Sequence, residues 1–141
     1  MRITTRGRYA LRASLALAKL HDLGYPVSIN QLSEEEQISS VFLEQIFFKL
    51  RKAGIVNSIR GPGGGFQFAI SPEKISLKEI LEASGEELNV TDCDKNAKTC
   101  KTTGKRCSSH TVWKDITKML DDYFSKMTLA MVIARKIPKD I

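Results

Sequence analysis

Five residues, Gly61-Pro62-Gly63-Gly64-Gly65, join two segments in which apolar and polar side chains alternate: Ile55-Val-Asn-Ser-Ile-Arg60 and Phe66-Gln-Phe-Ala-Ile70. Alternation with a period of two is the pattern of a strand with one buried face. A turn almost bare of side chains lets the backbone take positive φ and reverse sharply. The expectation is a β-hairpin, and it limits what the preceding chain can be. Glycines in such a run also suggest a phosphate-binding loop. Here the run joins two strands, and no Lys-Ser/Thr follows it, which excludes that reading.

Upstream of the hairpin the apolar residues recur at helical spacing. Residues 5 to about 22 place Tyr9, Ala13, Ala16, Leu17 and Leu20 on one face, and Gly24-Tyr25-Pro26 ends the element. Arg2, Arg6, Arg8 and Arg12 crowd its start, where the helix dipole disfavours cations. They form either a solvated basic face or a set of phosphate contacts. Ser28 and Gln31 make a capping box for a second helix with Ile29 and Leu32 inside and Glu34, Glu35 and Glu36 outside. Ser39 or Ser40 caps a third, whose inner stripe is Leu43, Ile46, Phe47 and Leu50. Val41, Glu44, Gln45, Lys49, Arg51 and Lys52 occupy its outer face, and Gly54 stops it. Two short helices joined by a brief turn match a helix-turn-helix. A hairpin directly after it is a wing, with Arg60 at the tip placed to enter a minor groove.

Composition agrees with a polyanionic partner. Lys and Arg number 22 against 16 Asp and Glu, a net charge of +6. No apolar run approaches the roughly 18 residues of a membrane span, and the N-terminus is too charged for a signal peptide. The expected location is the cytoplasm, with no membrane partner. No nucleophile–base pair or cofactor motif of an enzyme is present.

All three cysteines and one of the two histidines fall between Cys93 and His110, in a polar segment with no core of its own. Three cysteines cannot pair completely within one chain, and cytosolic thiols stay reduced, so a disulfide scaffold is the poorer reading and metal or redox chemistry the better one. The spacing is Cys93-x6-Cys100-x6-Cys107-x2-His110. Structural zinc sites use tighter knuckles, whereas six-residue gaps reach around a larger object such as a 2Fe-2S rhomb. Zinc and uncoordinated redox thiols stay open on spacing alone. Cys107 precedes a helix N-terminus, which favours its thiolate. Lys95, Lys98, Lys101, Lys105 and Arg106 surround the ligands, either as charge compensation or as ordinary residues of a solvated loop.

Ser76, with Glu79 as its capping-box partner, begins a short helix whose Leu77, Ile80 and Leu81 close the core. A long helix starts near Ser108 or Ser109, with Val112, Ile116, Met119, Leu120, Tyr123 and Met127 along one stripe. That stripe is too long for a small domain to cover and is expected to meet its copy in a second chain. Thr128 caps a last helix, Leu129 to Ala134, which Pro138 terminates. Three units result: a winged-helix domain over 1–85, a ligand loop over 86–110, and the two C-terminal helices over 111–141.

Taken together, Met1-Arg-Ile-Thr-Thr-Arg-Gly-Arg-Tyr-Ala, Phe42-Leu-Glu-Gln-Ile-Phe, Leu50-Arg-Lys-Ala-Gly-Ile and Arg60-Gly-Pro-Gly-Gly-Gly-Phe resemble the winged-helix regulators typified by IscR, the iron–sulfur cluster regulator. That family also includes the nitric-oxide sensor NsrR, the iron regulator RirA and members without cysteines. The resemblance runs from Met1 to about Ala130. It implies a mainly α fold with a small β-hairpin wing, a winged helix-turn-helix plus a long dimerisation helix. It implies a homodimeric transcriptional regulator, acting as a repressor on a palindromic operator in double-stranded DNA. Cys93, Cys100, Cys107 and His110 fall on the ligand positions for an iron–sulfur cluster, 2Fe-2S in preference to 4Fe-4S, with cluster-assembly proteins as donors. Both intervals between cysteines are one residue longer than in IscR itself. Some relatives recruit a carboxylate from the first helix, but Arg8 stands at that position and cannot ligate iron, which leaves His110. On DNA, Gln45 is matched to adenine and Glu44 to cytosine N4. Arg60 reads minor-groove width beside Gly61, Arg2, Arg6 and Arg51 hold phosphates, and Ser40 and Val41 complete the contact set. A winged-helix regulator with structural zinc or redox thiols is the alternative.

Overall fold

Helices started by side-chain caps make up most of the computed structural model, which describes residues 1–21, 24–94 and 106–134. The elements run α1 (Thr5–Leu20), α2 (Ile29–Glu36), α3 (Ser40–Lys52), β1 (Val56–Ile59), β2 (Gly65–Phe68), α4 (Leu77–Ala83), α5 (His110–Lys126) and α6 (Leu129–Ile133). Ser28 starts α2 by accepting from the Gln31 N–H while the Gln31 side chain accepts from the Ser28 N–H, so both halves of the expected capping box form. Ser39 is the cap of α3, accepting from the Phe42 N–H at 3.2 Å. Leu43, Ile46, Phe47 and Leu50 are all buried, and this complete inner stripe fixes which side of α3 faces outward.

The hairpin pairs Val56 with Phe68 and Ile59 with Gly65 in antiparallel register, making the chain mainly α with one small wing. A third strand is reduced to a single residue. Val27, just ahead of α2, exchanges two backbone hydrogen bonds with Phe66, at 2.8 and 2.9 Å. Gly65 makes this possible: its φ is 156°, and a Cβ there would run into the Val27 carbonyl. Gly61 opens the turn with a φ of 99°, as the expected sharp reversal requires.

Ser76 caps α4, and its box with Glu79 closes at 2.7 and 3.2 Å. Leu77, Ile80 and Leu81 are buried as expected. The end of α5 differs from the sequence expectation. Met127 is not part of an outward stripe but is buried in the core with Leu129. The reason is local: α5 ends at Lys126, and Met127 turns to an extended conformation with ψ of 121°. From there the chain forms an isolated bridge between Ser76 and Thr128, with Leu77 N–H donating to Met127 O and Leu129 N–H to Ile75 O. Thr128 then caps α6, which packs on α1. Pro138, expected to terminate that helix, lies outside the described residues.

The remainder of α5 leans on α4, where Lys78 binds Asp121 at 2.6 Å. The hydrogen bond with Asp121 raises the Lys78 pKa above its ordinary value, and its coulombic attraction adds to that. Val112, Trp113 and Met119 of α5 stay exposed.

Candidate functional site

The outer face of α3 presents Val41, Glu44, Gln45 and Phe48, all exposed, while Ser40 is half-buried. Phe48 was missed by sequence reasoning, although it stands four residues from Glu44 and seven from Val41 and therefore shares their stripe. Arg51 ties this helix to the wing. Its guanidinium donates to Ser58 Oγ on β1 at 3.2 Å and lies 5.6 Å from the centre of the Phe48 ring. Arg60 and Gly61 follow β1 at the exposed tip.

The arginine-rich start of α1 has an unexpected partner. Thr4 caps the helix by accepting from the Gly7 N–H at 3.2 Å. Behind it, buried Glu86 takes the Thr4 N–H at 3.3 and 3.4 Å on its two carboxylate oxygens and accepts from the Thr4 hydroxyl as well. A carboxylate at this end of a helix is favourable, and it offsets Arg2, Arg6 and Arg8, which oppose the dipole there. Gly7 leaves it room, since a Cβ there would stand 2.6 Å from Glu86 Cγ and Oε1. No local pattern announces this contact, because Thr4 and Glu86 are 82 residues apart.

The arginines themselves divide. Arg12 forms an ion pair with Glu36 at 3.2 Å and lies over the Tyr9 ring, so one of the three outward glutamates is engaged within the chain. The Arg6 guanidinium and the Lys49 ammonium both come within 4 Å of where a Cβ on Gly85 would stand. The start of α1, the end of α4 and the outer flank of α3 thus converge in one basic region, and Arg2 and Arg8 are exposed beside it.

Of the four sequence-derived ligands, Cys93, Cys107 and His110 are described and Cys100 lies outside the described residues. Cys93 is half-buried in a 3-10 turn over Asp92–Asp94 that packs on α5. The strand of chain leading to it is held by the Val90 N–H donating to Thr117 Oγ1. Cys107 is half-buried just ahead of α5, with Sγ 3.2 Å from Ser109 Oγ. His110 is the first residue of α5 and buried, and its ring nitrogen contacts the Arg106 guanidinium. Among the described residues no three His, Cys, Asp or Glu side chains are gathered into a metal-binding group. Thiolates and an imidazole are nonetheless ligand types that iron–sulfur centres use. A guanidinium only donates, so the His110 ring nitrogen that meets Arg106 accepts from it and its lone pair is engaged there, while Cys107 stands at a helix N-terminus that favours a thiolate. Among the described residues no helix is long and apolar enough to cross a membrane.

Comparison with known proteins follows the same outline. The family model described as Rrf2, iron-dependent transcriptional regulator, matches residues 3–135. The transcriptional regulator IscR of Vibrio cholerae is 42% identical over 129 residues, covering 92% of this chain and 73% of its own length. Among solved structures, CymR, the global cysteine regulator of B. subtilis, superposes with a TM-score of 0.81 at 25% identity, covering 96% of this chain and 98% of its own. IscR of T. potens superposes at 0.77 with 26% identity, covering all of this chain and 92% of that one.

Proposed function

As this chain belongs to the Rrf2 family of transcriptional regulators, we propose that it works as a homodimer whose DNA binding is set by an iron–sulfur cluster. The observation that carries this reading is where the ligand segment is anchored. It begins at Glu86, which accepts from Thr4, the cap of the basic start of α1, and ends at His110, the first residue of α5. A change in how Cys93, Cys100, Cys107 and His110 are held therefore pulls on elements at both of its ends. The cluster supplies a group that oxygen, nitric oxide or iron shortage alters, with 2Fe-2S favoured over 4Fe-4S and cluster-assembly proteins as its donors. In functional terms residues 1–85 read DNA, 86–110 sense, and 111–141 pair two chains in the cytoplasm.

Pairing is assigned to the exposed Val112, Trp113 and Met119 of α5, apolar side chains that a partner helix would cover. Each α3 enters a major groove, where Gln45 matches adenine and Glu44 accepts from cytosine N4, with Ser40 and Val41 alongside. Arg2 and Arg6 hold phosphates. Arg51 orients the wing through Ser58 in addition to any phosphate it meets. Arg60 and Gly61 lie at the minor groove. Arg60→Ala is expected to weaken operator binding about tenfold or more and random-duplex binding by less, measured by fluorescence anisotropy on both. Equal losses on the two would make Arg60 a phosphate contact only.

The direct test is anaerobic purification with an absorption spectrum and counts of iron, sulfide and zinc. Visible charge-transfer bands with matching iron and sulfide support the sensor. A colourless, iron-free protein after anaerobic reconstitution overturns it. The second reading, a winged-helix regulator with structural zinc or redox thiols, is favoured by the Arg106 guanidinium on the His110 ring and by the likeness to CymR. It predicts zinc or no metal in the same counts.

A further inference from the structure

The reading face of α3 is more apolar than a phosphate-facing helix needs to be. Val41 is 65% exposed and Phe48 54% exposed, on a helix whose opposite side chains are fully buried. Neither can rotate into the core, because Leu43, Ile46, Phe47 and Leu50 fill it. Lys49, Arg51 and Lys52 flank the last turn, which suits a polyanion and disfavours a purely apolar partner. Arg51 lies over one face of the Phe48 ring while bonded to the wing. The ring is thereby steadied beside the base-matching residues Glu44 and Gln45.

In the major groove the base edges present hydrogen-bonding groups and a single kind of apolar group, the C5 methyl of thymine. An exposed phenylalanine and valine on a groove-reading stripe have no other apolar surface there to cover. We propose that Phe48 and Val41 determine operator specificity by packing against thymine methyl groups. Seven residues separate them, a rise of about 10.5 Å along α3. For a helix lying along the groove that is about three base-pair steps of 3.4 Å. Glu44 and Gln45 lie between, so the stripe reads methyl, hydrogen-bonding edge, methyl. This rests on the reading above in which α3 enters the major groove.

The test uses the full-length chain and a duplex enriched from a random-sequence pool by repeated binding. Each thymine of the enriched site is replaced in turn by deoxyuridine, which removes only the methyl group. Losing one methyl contact is expected to weaken binding about fourfold, and the symmetric pair in a dimer site about fifteenfold. Phe48→Ala is expected to bind the thymine and uridine versions of one position alike, and Val41→Ala those of another. Both variants replace exposed side chains, and an unchanged thermal melt confirms that they fold. Indifference of the wild-type chain to uridine at every position overturns the proposal, as does a Phe48→Ala variant that keeps every thymine preference. Glu44→Ala in the same assay separates the two failures. If it relaxes base preference while uridine has no effect, α3 reads the groove and the methyl contacts are wrong. If neither substitution changes preference, the α3 reading itself falls.

Discussion

Cys107→Ala protein, reconstituted anaerobically beside the wild type, is expected to be colourless, with iron and acid-labile sulfide at background. Cys107 sits half-buried ahead of α5, where the helix N-terminus favours an anionic sulfur. Its Sγ lies beside Ser109 Oγ, and His110 follows three residues after it. Alanine removes the thiolate without opening a core cavity, so the metal-free protein should melt within about 0.5 kcal/mol of the wild type. Cys93→Ala should behave alike from the far end of the segment. The operator affinity of either variant should equal that of metal-free wild type, whichever direction that is. Retention of full colour by both variants would remove these two thiols from the ligand set.

The second large effect concerns no ligand. Glu86→Ala is expected to destabilise the fold by about 2–4 kcal/mol, from charged hydrogen bonds to Thr4 and the loss of a carboxylate at a helix N-terminus. Arg2, Arg6 and Arg8 near that end would then face an uncompensated dipole. Glu86→Gln keeps an acceptor and gives up the charge, so it should fall between alanine and wild type in a urea melt. DNA affinity measured below the melting range should drop as well, because Arg6 and its neighbours lose the anchor of the helix that carries them. An unfolding midpoint unchanged by Glu86→Ala would show that α1 does not depend on this carboxylate.

These two residues mark the boundary of what the linear chain reveals. Caps are written within four residues, and Ser28 with Gln31 and Ser76 with Glu79 formed as their spacing implied. The inner stripe of α3 repeats inside thirteen residues and was equally legible. The wing followed from its glycines and its alternation, though the strands are shorter than the alternating runs. Glu86 had no such local partner, since the groups it binds are at the other end of the chain. The Val27–Phe66 bridge is a one-residue strand, too short to show a period. Met127 followed the apolar stripe of α5 in sequence, and only the extended backbone after Lys126 turns it inward. Phe48 was visible as a residue, but its exposure depends on the four neighbours that occupy the core ahead of it. For the ligand set, spacing suggested the chemistry, while the fold puts Cys107 and His110 at the start of α5 and Cys93 in a turn packed on that helix, without gathering three of them into a metal-binding group among the described residues.

The return of the chain through Met127 and Leu129 has a consequence for how the protein is made. Both side chains are buried in the same core as α1 and α3, yet they emerge from the ribosome after every other buried residue of that core. A nascent chain that has completed its wing still lacks them, and the surface of α1 that α6 covers stands open to water. N-terminal regions generally fold first during synthesis, but here the core closes only after the cysteine segment and α5 have been translated. The helix-turn-helix and wing therefore reach full stability only once the chain beyond Cys107 has been made.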